Sequence, residues 1–539
     1  MAADLVLYGD IVTMREDSPL AQALAVTGGR ITAVGARTDV EELVGPDTRV
    51  VDVGGAAVLP GFIEPHGHPL EEAIVLGPDV VDIRPVTITE ADAVVAAVVD
   101  TVRSRGAAGA SLNGWDPLLQ KGLPDPTIDW LDSVAPEYPL VIMHNSGHVA
   151  YFNTAAAVQA GITRDTPDPI GGSYGHDATG ALDGAAYEMP AVFAVAGHAV
   201  TIGDDFPALV AAECARLNAA GITTIAELSF DPKMRPALAA IADAGLLTTR
   251  LRLYEMSNDA RTTEASPGDG NDLVRQIGIK VWSDGSPWVG NIATSFPYLD
   301  TEATRALGIA CTHGHANYTG EQIHDISSAY FAKGWQMACH AHGDDAITMV
   351  LDAWEQLLKE HPRPDHRLRL EHVGAMRPDQ FARAAELGVT VSIFIDHLHY
   401  WVMFWWMTCS APNTDPSGPQ QDLHSQPDSG SPSTTTDPSP LPIRYGICRT
   451  PSPGFRPAAA SWHPRNRSPW TPPCAPIRSM PRGSCSAKIT SVHLSRRYAD
   501  LVVLSANPLD VEPTRLADIT VLATILEGRT VYGDLSAIG

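Results

Sequence analysis

Two histidines separated by one glycine, His66 and His68, close the run VLPGFIEPHGHP. Residues i and i+2 of a strand project to the same side, so these imidazoles can share one metal ion at a strand end. Two more histidines end strand-like runs: His340 in CHAHGD and His372 in RLEHV. A single histidine in such a place reads as a core or surface residue. Four of them at strand ends point to a metal centre. Lys280, in GIKVWSDGSP, ends another run. A lysine there is ordinarily a surface charge or an anion contact. Beside a histidine cluster its amine can react with carbon dioxide to give a carbamate, an anionic oxygen ligand able to bridge two metals. A second HxH pair, His313 and His315 in THGHANY, follows no strand-like run and reads as a loop.

The elements that must hold these groups alternate in type. Strand-like runs are AAVLPGFIE, GITTIAEL, TRLRLYEM, IGIKVWSD, WQMACHAHG, RLRLEHV and GVTVSIFI. Ala-rich amphipathic stretches such as PALVAAECARLNAAG and PDQFARAAELG lie between several of them. Repeated βα units predict a parallel sheet and an α/β fold, with a (β/α)8 barrel as the leading arrangement. In such a barrel the active site lies at the C-terminal ends of the strands. The runs supply seven strands, and the eighth is missing. A long insertion, roughly Pro69 to Phe206, separates the first from the second. Residues 1–57 and 498–539 read instead as short strands with turn signals, which predicts one small β-sandwich built from both termini. Residues 58–401 form the barrel region.

The chain has 539 residues, with 44% hydrophobic and 19% charged content, which fits a soluble globular protein with a large core. A net charge of -26 argues against nucleic acid or an anionic membrane as partner. The start, MAADLVLYGD, has no basic n-region or long apolar h-region, and YWVMFWWM is too short to span a bilayer. A cytoplasmic location is expected. The seven cysteines include no CxxC pair, so neither a zinc knuckle nor a disulfide framework is indicated.

PGFIEPHGHP, IKVWSDGS, CHAHGDDAI, RLEHV and the tail YADLVVLSANPLD together resemble the metal-dependent amidohydrolase superfamily. Within it they are most similar to the branch of N-substituted formamide deformylases, with D-aminoacylases more distant. The resemblance covers about residues 1–401 and 498–539. It implies a (β/α)8 barrel beside a β-sandwich. It also implies a metal centre of His66 and His68 on strand one, carbamylated Lys280 on strand four, and His340 and His372 on strands five and six. HNSGHVAYFNTAA resembles the branch's substrate-side segment, which implies that His148 and Asn153 lie near the pocket. Asp284 and Asp344 are expected behind the ligands, orienting them. The family's last ligand, an aspartate ending strand eight, has no counterpart, so no catalytic residue is assigned.

From Val402 to about Arg497 the chain is crowded with Pro, Ser and Thr and has no periodicity, a composition that reads as disorder. It stands where the last βα units belong. If one base was lost just after the codon of Trp401, WVMFWWMTCSAP back-reads as W-G-D-V-L-V-D-D-L-F-G-P. The inner V-L-V-D-D is forced by the single codons of Met and Trp. GSPSTTTDPSPL, from Gly430 to Leu441, permits F-S-I-H-N-D-G-P-V-T-P, and AKITSVHLS permits E-D-H-I-G-S-P-V. The segment therefore reads as an out-of-frame translation, with the missing aspartate codon straddling Thr435 and Thr436.

The expected function is hydrolysis of a small-molecule amide, an N-formyl or N-acyl group, by water activated on one or two divalent ions. Zinc is favoured by the imidazole-rich set. One alternative is a catalytically dead frameshifted product or binding protein. Another is an esterase or cyclic-amide hydrolase on the same site. The composition leaves room for a homo-oligomer.

Overall fold

The computed structural model describes residues 2–400 and 497–538, apart from Glu16, Ile170, 200–204, 302–303, 306–307, 395–396 and 398–399. The segment read as out of frame, Val402 to about Arg497, falls outside the described residues up to position 496.

Both chain ends join one seven-stranded sheet. Its order is Arg529–Gly533, Val521–Leu526, Leu501–Leu504, Arg49–Pro60, Leu5–Val12, Leu20–Thr27, Arg30–Gly35. The link between the ends is antiparallel, with Val502 opposite Leu59. Strand alternation explains the packing. Leu5, Leu7, Leu24, Val26, Val51, Val53, Leu501, Val503 and Ile525 share one core. The intervening Val6, Tyr8, Ala23 and Ala25 pack around Val40 of the short helix Arg37–Glu41. The sheet curls so that its far edge returns to the start of the C-terminal strands, where Arg30 bridges Tyr498 and Ile31 N–H donates to Arg497 O at 2.9 Å. The expected two-layer unit is thus one continuous sheet folded over its own core.

Seven parallel strands form the barrel among the described residues. In order they are Phe62–Gly67, Ile222–Phe230, Arg250–Met256, Val274–Trp282, Gln336–Ala341, Arg369–His372 and Thr390–Ile393. Every one overlaps a run read from the sequence, and the first, second and fourth extend beyond theirs. The first run needs a correction. AAVLPGFIE is two elements, because Arg49–Pro60 stays in the terminal sheet past the expected limit at residue 57 and the barrel begins at Phe62. Gly61 lies at the break, and it must be glycine because a Cβ there would lie 2.3 Å from Thr223 on the neighbouring strand. The first and seventh strands are the two ends of this order among the described residues.

The insertion is a folded unit with its own six-stranded sheet, running from Val80–Asp82 to the strands Ser173–His176 and Leu182–Tyr187. The helices at its margins, Pro69–Val75 and Phe206–Ala219, belong to the barrel wall. Leu70, Ala73, Phe206 and Val210 pack there with Ile222 and Leu251. Among the described residues no helix is long and apolar enough to cross a membrane.

Candidate functional site

Strand parity decides what enters the barrel mouth. Ile279 and Val281 face the outer helices, as do Cys339 and Ala341. Lys280 and His340, between them, therefore point inward, and both are buried. On the sixth strand the outward residue is Leu370, which turns Glu371 inward. His372 should then point outward. It does not, because His372 and Val373 adopt left-handed backbone, with φ of 69° and 49°. Such conformations cost about 1–3 kcal/mol each and persist where the surrounding structure holds them. Here the strain turns the His372 ring back onto the cluster.

The histidine rings stand in contact. The His66 and His372 ring centres are 4.5 Å apart, and those of His340 and His372 4.6 Å. His68 meets His66 edge-on at 5.5 Å. Gly67 lets the first strand close on its neighbour, since a Cβ there would sit 2.7 Å from Ile225 Cδ1. The Lys280 Nζ lies 5.2 Å from the Trp282 ring centre. Burial, and after it the Lys280 charge, holds His66 down at about 3. Burial and the neighbouring imidazoles hold His340 and His372 well below the usual histidine value. These rings are therefore neutral near pH 7, the form that ligates metal. His68 differs: burial disfavours its charge, but the hydrogen bond and charge of Glu227 outweigh burial and raise it.

Each first-strand histidine has a partner on its inner nitrogen. His66 Nδ1 lies 2.7 Å from Glu371 Oε2. Arg369 hydrogen-bonds the other Glu371 oxygen and also donates to Pro65 O at 2.9 Å, tying the sixth strand to the first. Despite burial, Arg369, His66 and Lys280 hold the Glu371 carboxyl well below the usual range. His68 Nδ1 lies 2.7 Å from Ser229 Oγ, which donates to Glu227 Oε1 at 3.0 Å. A carboxylate behind a ligating imidazole fixes its orientation and strengthens it as a donor. Among the described residues, no group of three or more His, Cys, Asp or Glu side chains stands ready-made to hold a metal ion. The donor chemistry nevertheless fits one: neutral imidazoles His66, His340 and His372 from three strands, a carboxylate behind His66 and, through Ser229, another behind His68, and a buried lysine whose charge acts on them.

The remaining expected residues divide. His148, on the inserted unit, reaches the cluster with its ring 5.0 Å from His340 and its Nδ1 2.9 Å from Glu188 Oε2. Asn153 is buried elsewhere as the cap of helix Thr154–Ala160. Its Oδ1 accepts from Leu140 N–H and Ala156 N–H, and its Nδ2 donates to Ala135 O and Tyr138 O, which fills its hydrogen-bonding capacity. Asp284 lies 3.8 Å from His340 Nε2 and accepts from the N–H groups of His342 and Gly343 at 2.9 and 2.7 Å. It holds the turn after the fifth strand, and burial pushes its carboxyl up to about 8. Asp344 turns to Ser295 and Arg377 rather than to an imidazole. His313 bonds to Thr294 in a loop, as expected.

Sequence reasoning missed Glu371, Glu227, Ser229 and His342. Parity would have found Glu371, which stands next to outward Leu370. His342 repeats the i, i+2 spacing of His66 and His68 within CHAHGD, and its ring lies 5.1 Å from both His340 and His372.

A parallel barrel with a histidine-lined mouth at its C-terminal strand ends is an enzyme architecture, and comparison with known proteins agrees. The amidohydrolase family model matches residues 49–431. The chain is 28% identical over 407 residues to the N-substituted formamide deformylase of Arthrobacter pascens, covering 71% of each chain. It is 26% identical over 413 residues to protein LONG AFTER FAR-RED 3 of Arabidopsis thaliana, covering 73% of this chain and 68% of that one. A solved structure of an uncharacterized metal-dependent hydrolase from Pyrococcus horikoshii OT3 shares the fold, with a TM-score of 0.57 at 21% identity over 75% of this chain and 76% of that one. The chain belongs to the amidohydrolase family. Enzymes of this family generally use divalent metal ions.

Proposed function

We propose that the chain is built to cut the C–N bond of a small amide, an N-formyl or N-acyl group, at the mouth of the barrel. The observation that carries this reading is the contacting set of neutral imidazoles His66, His340 and His372, of which His340 is buried, with the charge of the buried Lys280 acting on all three. His66, His68, His340, His372 and Lys280, the lysine as its carbamate, would hold one or two divalent ions, with zinc favoured by the imidazole-rich set. A bound ion there supplies Lewis-acid polarisation of the carbonyl and acidification of water. The chain's own groups do the positioning. Glu371 sets the His66 ring, and Ser229 with Glu227 sets His68. His148, braced by Glu188, faces the substrate side of His340. Asn153, spent on its helix cap, has no part in this reading. The resemblance to N-substituted formamide deformylase supports an N-formyl or N-acyl substrate.

A second reading rests on one sequence observation. The proton-shuttling aspartate expected at strand eight is recovered only by restoring the frame after Trp401. On that reading the literal chain binds metal and substrate but turns over slowly. The test is metal analysis together with turnover of a panel of N-formyl and N-acyl amines, an ester and a cyclic amide, on wild type and His66→Ala/His68→Ala. Amide cleavage that needs both bound metal and the histidine pair is expected. Full turnover by the metal-free double variant would refute the assignment.

A further inference from the structure

His148 reaches the cluster from the inserted unit, and its ring is held as the ligand rings are. Its centre lies 5.0 Å from that of His340, with the planes 57° apart. The pairs His66–His372 and His340–His372 stand at 4.5 and 4.6 Å, each with 60° between planes. Imidazoles that share one ion through bonds of about 2.1 Å have ring centres roughly 5 Å apart. The ring protons are sorted alike. His66 Nδ1 faces Glu371 and His340 Nε2 lies 2.8 Å from Gly285 O, so each ring holds its proton there and keeps a lone pair on its other nitrogen. His148 Nδ1 faces Glu188 Oε2 at 2.9 Å, which leaves the lone pair on Nε2. That nitrogen makes no hydrogen bond among the described residues, and the side chain is 12% exposed. After burial, His148 is the group that most depresses the basicity of His340.

The brace behind His148 is fixed in turn. Glu188 is 3% exposed and adopts left-handed backbone, with φ of 62°. Its other oxygen accepts from Asn291 Nδ2, and Asn291 Oδ1 accepts from Ser286 N–H at 2.7 Å. Gly285 leaves room for this contact, since a Cβ there would lie 2.6 Å from Asn291 Oδ1. The carbonyl of the same Gly285 faces His340 Nε2, so one loop sets both rings. Backbone strain retained at a site and a carboxylate behind an imidazole are the marks of a ligand held in place. We propose that His148 is a further ligand of the metal centre, supplied through Nε2 by the inserted unit. This rests on the proposed metal centre of the barrel mouth. The ion would then tie the inserted unit to the barrel as well as serve the reaction.

The test loads the full chain with zinc or cobalt(II), as wild type, His148→Ala, Glu188→Gln and His66→Ala. Zinc affinity, read by competition with a chromophoric chelator, should fall at least ~100-fold in His148→Ala and comparably in His66→Ala. In Glu188→Gln it should fall by about 10- to 100-fold, the usual loss for a partner behind a ligand. The ligand-field absorption of the cobalt form should change in His148→Ala, because one nitrogen leaves the ion. Metal-free His148→Ala should melt with metal-free wild type, and zinc should raise the Tm of wild type more. Unchanged zinc affinity and an unchanged cobalt spectrum in His148→Ala overturn the inference and leave the rest of the metal centre standing. A lower Tm of the metal-free variant with an unchanged cobalt spectrum also overturns it, since His148 would then be structural. If His148→Ala does not fold, Glu188→Gln decides, and unchanged zinc affinity there overturns the inference. If wild type binds neither ion, the metal centre itself falls and this ligand with it.

Discussion

His66 and Glu371 are 305 residues apart in the chain and 2.7 Å apart in the fold. A ligating imidazole depends on the group at its other nitrogen, which fixes the ring and raises its basicity. Glu371 does this from a buried position, kept anionic by Arg369, His66 and Lys280. Glu371→Gln keeps the size and removes the charge. Zinc affinity should fall by about 10- to 100-fold, as for other partners behind metal ligands. Competition with a chromophoric chelator measures this, and unchanged affinity would deny Glu371 the supporting role.

At the scale of elements, two devices set the site. One is the left-handed end of the sixth strand, which reverses the parity of His372. The other joins the floor of the barrel to the terminal sheet. Arg250, at the start of the third barrel strand and 3% exposed, pairs with Asp500 at 2.6 Å and Glu527 at 2.9 Å, and its guanidinium lies 4.0 Å from the Tyr498 ring centre. Asp500 and Glu527 are partly exposed and water screens them once Arg250 is gone, so Arg250→Ala should cost about 1–3 kcal/mol, mostly its charged hydrogen bonds and packing. Urea unfolding reads that loss directly. Bound metal per folded molecule should stay constant, because the clasp lies at the opposite end of the barrel strands from His66 and His340. A variant as stable as wild type would mean the network contributes nothing net.

For the whole molecule, the family match and the seven-stranded parallel order agree on an amidohydrolase barrel. The codon reading makes a prediction at this scale. A version restoring W-G-D-V-L-V-D-D after Trp401 and H-N-D further on should exceed the literal chain in amidase turnover. The gain should be at least ~10²–10⁴-fold, the usual worth of general acid–base help. Equal activity of the two would remove the frameshift from the account.

The seven strand runs were legible in the sequence because alternation of apolar side chains is local and repeats every two residues. Lys280 and His340 were legible as the ends of such runs, and the HxH of His66 and His68 needed nothing beyond i, i+2 geometry. Three things had no local signature. Gly61 at the strand break is required because Thr223 of another strand approaches it. Asn153 reads like a pocket residue until helix Thr154–Ala160 and the carbonyls of Ala135 and Tyr138 take up its amide. His148 meets His340, and Glu371 meets His66, only once the inserted sheet docks and the strands close into a barrel. Periodicity reports which face of an element is buried. Which faces meet is set by packing between segments hundreds of residues apart, and that was decided only by the tertiary structure.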